Sequence, residues 1–159
     1  MNGAGRKADI ASGEGWLLGF AWLDQDAPFS DYAGFDRTIT LLEGPGFALE
    51  LAAGSTLTVS RPFEPAAFDG AGPMACRILG GPCRVLNAIS AYPAFAHSVQ
   101  VIPGTDLAAI EPGALVFAVV LRGTLLDAAV LDTVVLTESL VGPPDALIAV
   151  VRFEQGNDL

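Results

Sequence analysis

The chain predicts an all-β fold, a sandwich or barrel of short strands. Three observations carry that expectation. About ten segments rich in Val, Leu, Ile, Phe and Thr recur at close spacing. Turn-forming residues bound them, with 18 glycines and 11 prolines among 159 residues. No window sustains apolar residues at i, i+3, i+4 and i+7 between a cap and a stop, so helices have little support.

The first strand expected is residues 16–22, the buried-looking WLLGFAW. Residues 37–42, RTITLL, alternate, which puts Arg37 on one face with Ile39 and Leu41. Residues 47–51 alternate behind the Gly-Pro-Gly turn at 44–46, and residues 55–59 alternate after Ala-Ala-Gly. Residues 74–79 and 83–89 flank Gly80-Gly81, which reads as a two-residue hairpin loop. In that register Cys76 pairs with Val85, the two thiols are offset, and both cysteines are expected reduced. Residues 95–102, 114–121, 132–137 and 146–153 complete the set. Residues 127–135 have room for a helical turn, but their Val and Thr content favours strand.

A chain of this length buries roughly 70% of its unfolded surface, so it needs no metal or disulfide merely to fold. With 52% hydrophobic and 16% charged residues it lacks the composition of a disordered chain. The best internal boundary is the Pro- and Gly-rich segment 62–73. It would join a first half of about residues 1–61 to a second of about 74–159.

Net charge is −10, and the eight basic residues are scattered, with only Arg6 and Lys7 adjacent. No basic face is therefore expected for nucleic acid. The longest apolar run, residues 114–121, is well short of the about 20 residues that a membrane helix needs. MNGAGRK has no apolar stretch of signal-peptide type, so a cytoplasmic protein without a membrane partner is expected.

Familiar catalytic signatures are missing. His97 is the one histidine, and no Gly-x-Ser-x-Gly elbow, phosphate loop or dinucleotide fingerprint occurs. No metal or other cofactor is expected from this ligand supply. The informative residues are polar ones on apolar faces. Arg37 is one; Asn87 shares a face with Cys83, Val85 and Ile89; His97 shares one with Phe95, Val99 and Val101. A buried charge demands a partner. For Arg37 that is either a nearby acid such as Asp31 or Asp36, or a bound carboxylate held by the guanidinium fork. Phe29, Tyr32 and Phe35 read as aromatics that anchor the loop before the strand.

Five ordered stretches resemble the HutD/Ves family. APFSDYAGFDRTITLLEG resembles its GPFS-x-(F/Y)-PG-(I/V/F)-DR-x-(I/L)-x-LLEG segment. NGAGRKADIA at 2–11 is similar to NGGG-x-T-x-E-I-A, and residues 61–87 to PF-x-F-x-GD-x-x-x-x-CRLLGG-x-x-x-DFN. HSVQVI at 97–102 and the closing apolar strands also fit. Departures include Val85-Leu86-Asn87 for the family's Asp-Phe-Asn, Ala33-Gly34 for its Pro-Gly, and Asp9 for its Glu. The resemblance implies an RmlC-like cupin fold, with two small β-barrel halves in one chain. It also implies a link to bacterial histidine utilisation through binding of an intermediate such as formylglutamate or urocanate.

The expectation is thus a metal-free, non-enzymatic binder of a small organic anion. Its pocket residues would be Asn2, Phe29, Ser30, Arg37, Asn87 and His97. Arg37 would hold a carboxylate, Asn2 and Asn87 would hydrogen-bond a formyl, amide or ring group, and Phe29 and Ser30 would line the mouth. Two alternatives stand beside it. One is a metal-independent isomerase or hydrolase with His97 as base. The other is a protein-interaction or stress-related module, for which a homodimer is the simplest partner.

Overall fold

The computed structural model describes residues 5–71 and 74–156. Among them the chain forms ten strands, then a short helix, then three more strands. These are β1 (Gly5–Gly13), β2 (Trp16–Leu23), β3 (Ala27–Phe29), β4 (Phe35–Glu43), β5 (Phe47–Glu50), β6 (Thr56–Val59), β7 (Pro65–Asp69), β8 (Met74–Ile78) and β9 (Cys83–Ala91). β10 (Phe95–Pro103) leads into a 3-10 helix, Gly104–Ala109, followed by β11 (Val116–Arg122), β12 (Thr133–Val135) and β13 (Leu147–Gln155). The fold is all-β, as the alternating segments imply. The described chain divides into two compact units, one of residues up to Phe95 together with Gly156, the other Ala96–Gln155.

The first unit is a pair of antiparallel sheets. One has strand order β1-β2-β9-β4-β7 and the other β3-β8-β5-β6. Its core draws Ala21, Leu23, Ile39, Leu41 and Val85 from the first sheet and Phe47, Leu49, Val59 and Cys76 from the second. All are no more than 9% exposed. Period-two alternation sorts them, because each core residue is two positions from the next on its strand.

Three of these strands were not apparent from the sequence: β1, β3 and β7. GRKADIASG carries a charge or a small residue at nearly every position, so no apolar face marks it. It is a strand because β2 offers a full ladder, from Gly5 opposite Leu23 to Gly13 opposite Trp16, with a bulge between Asp9 and Ala11. The segment 62–73 expected as a connector contains β7, which pairs with β4 from Asp36–Asp69 to Thr40–Pro65.

Two expectations need correction. Gly80-Gly81 does not close a hairpin: β8 pairs with β3 and β5, whereas β9 pairs with β2 and β4. The glycines instead carry the chain from one sheet to the other, which separates Cys76 from the ladder of Cys83. Both cysteines are buried and free. The sheets are also open in strand order rather than closed barrels. Each ends in a strand with a partner on one side only, and in β7 the terminal Pro65 has no N–H to extend the ladder.

The second unit is one sheet, ordered β10-β13-β11-β12. Val116, Ala118, Val120, Ile148 and Val150 face Leu107 of the 3-10 helix and Leu125 and Leu136 of the loops. Gly123 takes φ of 74° where the chain turns out of β11, a conformation that suits glycine.

Candidate functional site

In the first unit, Arg37 lies in β4 opposite Ile89 of β9 and Phe68 of β7. Asn87 is two residues before Ile89, on the same face of β9, so it is the diagonal neighbour of Arg37. Both are buried, at 3% and 6% exposure. The Arg37 Nη2 donates to Asn87 Oδ1 at 3.3 Å. The other two guanidinium nitrogens, Nε and Nη1, are buried with no hydrogen-bond partner.

Aromatic rings enclose the guanidinium. Its central carbon lies 4.8 Å from the ring centroid of Phe29, 4.9 Å from Tyr32 and 5.3 Å from Phe68. Cation–π attraction of this kind contributes about 1–2 kcal/mol per favourable desolvated contact. It does not replace hydrogen bonds to Nε and Nη1. Burial lowers the Arg37 pKa to about 10, partly opposed by Tyr32. The side chain therefore stays cationic at neutral pH, in a setting that disfavours its charge. Among the described residues no carboxylate forms an ion pair with it, in contrast to Arg6–Asp24, Arg61–Glu64, Arg77–Glu50 and Arg84–Glu43. Alternation turns Asp36 to the opposite face of β4.

The backbone fixes the cage. Phe29 ends β3 opposite Met74. Tyr32 N donates to Gly70 O at 2.9 Å, and Gly70 N donates to Phe35 O at 2.8 Å. The Tyr32 and Phe35 rings meet edge to face at 5.9 Å. Gly70 is required by this closure: a Cβ there would sit 2.7 Å from Phe35 O and 2.9 Å from Tyr32 O.

Chemically, the arrangement offers unpartnered N–H donors on a buried cationic guanidinium in an apolar surround. That is the donor set of a carboxylate or similar planar anion. Asn87 Oδ1 is occupied, which leaves its Nδ2 as a second kind of donor. Cys76 adds no nucleophile, since burial first, then Cys83 and Asp26, push its thiol up to about 12.

The structure thus brings together Phe29, Arg37 and Asn87 of the expected pocket residues. Ser30 follows Phe29 directly and is half-buried. Asn2 lies outside the described residues. His97 belongs to the second unit, half-buried on β10, with its ring 5.9 Å from Phe153. Tyr32 was expected as one of three loop-anchoring aromatics, any of which could cap a pocket mouth, and Phe68 was missed. Its signal is faint, a lone aromatic before Asp-Gly in a proline-rich stretch. Among the described residues no three His, Cys, Asp or Glu side chains gather as a metal would need. No helix of the structure is long and apolar enough to cross a membrane. An open crevice of about 190 Å³ along β6 and β7 includes Arg61 and Glu64, but that ion pair is exposed and selects nothing by burial.

The HutD family model matches residues 2–140. An uncharacterized 21.2 kDa protein in the hutC 3′ region of Pseudomonas putida is 36% identical over 112 residues. That match covers 66% of this chain and 58% of the relative, so the chain spans under two thirds of that protein's length. Among solved structures, a conserved protein of unknown function from Pseudomonas aeruginosa PAO1 superposes with a TM-score of 0.76 at 21% identity, covering 98% of this chain and 91% of that one. HutD from Pseudomonas fluorescens SBW25, in a formate condition, gives 0.67 at 23% identity with the same coverages. At these identities the structural matches establish the fold.

Proposed function

The chain belongs to the HutD family, and on that premise we propose that it binds a small organic anion at Arg37 and thereby modulates histidine utilisation. One observation carries this reading: a buried guanidinium with two unpartnered nitrogens inside an aromatic cage. Leaving such a charge without a counter-ion costs several kcal/mol, and a bound carboxylate removes that cost. The link to histidine utilisation comes from the family and from the relative in the hutC region. The same family resemblance supports reading the chain as a cupin, with the open two-sheet body in its first unit.

In this reading the ligand carboxylate accepts from the unpartnered guanidinium N–H groups of Arg37 at Nη1 or at Nε, which point to different sides of the group, and Asn87 Nδ2 donates to a formyl, amide or ring acceptor. Phe29, with Ser30 beside it, lines the approach. No bond is made or broken, so the protein acts as a sensor or store of its ligand rather than as a catalyst.

Calorimetric titration with formylglutamate, urocanate, histidine and formate tests it directly. At least one anion is expected to bind the wild type with a dissociation constant below about 1 mM, a free energy near −4 kcal/mol. Arg37→Met is expected to abolish that heat. Absence of binding by all four, or binding that survives in Arg37→Met, would sink the proposal.

A further inference from the structure

We infer that Lys7 is a specificity-determining residue that makes the Arg37 site prefer an anion with a second carboxylate. The inference rests on the anion-binding reading above. Lys7 lies in β1 opposite Ala21, and Ala21 lies opposite Val85, which pairs with Leu41. Arg37, Ile39 and Leu41 share that face, so Lys7 and Arg37 project from the same side of one sheet. Their charges converge on one ring: Lys7 Nζ is 5.8 Å from the Tyr32 centroid and the Arg37 central carbon is 4.9 Å from it.

The two cations differ in what they supply. Arg37 is buried and its fork fixes the geometry of one carboxylate. Lys7 is exposed on a flexible stem, a point charge at the rim that reads charge and not shape. The carboxylate carbons of a five-carbon diacid are about 5 Å apart when extended, within reach of two cations that share a ring. Asp9, the next residue on this face, argues for the same placement. Its Oδ1 is 3.6 Å from where a Cβ on Gly19 would stand, and Gly19 lies opposite Asn87. A second carboxylate directed along the sheet toward Asn87 would meet that negative charge, whereas one directed at Tyr32 meets Lys7.

The test compares glutarate with valerate, which have the same five-carbon chain and two carboxylates or one. Titrations use the full chain at low ionic strength, as wild type, Lys7→Gln and Arg6→Gln. Arg6 carries the same charge one residue away, but on the opposite face, 5.2 Å from the Trp22 ring. Glutarate is expected to bind wild type about fivefold more tightly than valerate, the scale of one exposed charge pair. Lys7→Gln should bring the ratio near one with valerate affinity unchanged, and Arg6→Gln should leave it intact. A ratio near one in wild type, a ratio unmoved by Lys7→Gln, or an equal loss in Arg6→Gln overturns the role of Lys7 while leaving the anion site standing. Failure of both acids to bind wild type overturns the anion site, and this inference falls with it.

Discussion

Burying Arg37 is costly. Burial depresses its pKa from the ordinary arginine value to about 10, and at 1.36 kcal/mol per unit that corresponds to a folding penalty on the order of 3 kcal/mol at neutral pH. The sign follows from proton counts. Between those two values the unfolded chain holds the proton more tightly, so stability rises with pH there, and below pH 10 the full penalty is present. The same charge serves binding. A carboxylate ligand is ionised above about pH 4, and the guanidinium is cationic below about 10. Affinity measured across pH should therefore be flat from about 5 to 9 and fall on either side. A midpoint near 6.5 would point to histidine control in place of Arg37. This residue was legible in the sequence, since alternation alone put a charge on an apolar face. Its diagonal contact with Asn87 was not, because β4 and β9 are distant in the chain and no turn between them sets their register.

At the scale of elements, strands with an apolar face were legible and strands defined by a neighbour were not. Residues 16–22, 37–42 and 83–89 announce themselves by composition, and they form β2, β4 and β9 at the centre of one sheet. β1, β3 and β7 lie at sheet edges, where one ladder suffices and a hydrophobic face is optional. The edges carry the surroundings of Arg37: Lys7 on β1, Phe29 on β3 and Phe68 on β7. The central charge and the aromatics Phe29 and Tyr32 could thus be picked out from the sequence, and Phe68 could not. The loop between β3 and β4 depends on one close approach, at Gly70. Gly70→Ala should push apart the carbonyls of Tyr32 and Phe35, destabilise the first unit by about 1–3 kcal/mol and weaken anion binding by about tenfold. Chemical denaturation and titration of the same variant check both. Wild-type affinity in a destabilised Gly70→Ala would show that the Tyr32 ring does not contribute to the site.

At the scale of the whole molecule, the two compact units make a single melting temperature an ambiguous quantity. The chain supplies its own reporter. Both of its tryptophans, Trp16 and Trp22, lie on β2 in the first unit with Arg37. Tryptophan fluorescence therefore follows the unit that holds the site. A ligand at one hundred times its dissociation constant adds about 2.7 kcal/mol to the stability of the state that binds it. For a body of this size that raises the fluorescence-detected midpoint by about 10 °C. Arg37→Met should respond differently. It exchanges a buried, under-partnered cation for an apolar chain of similar length, a change that is often neutral or stabilising even though it removes the hydrogen bond to Asn87. Its midpoint without ligand should equal or exceed that of the wild type, and added anion should not move it. A large fall in the ligand-free midpoint of Arg37→Met would instead mark Arg37 as a structural residue whose partners already satisfy it. Stability held below its maximum by one unpaired charge, and restored when an anion arrives, is the thermodynamic signature expected of a residue kept for binding.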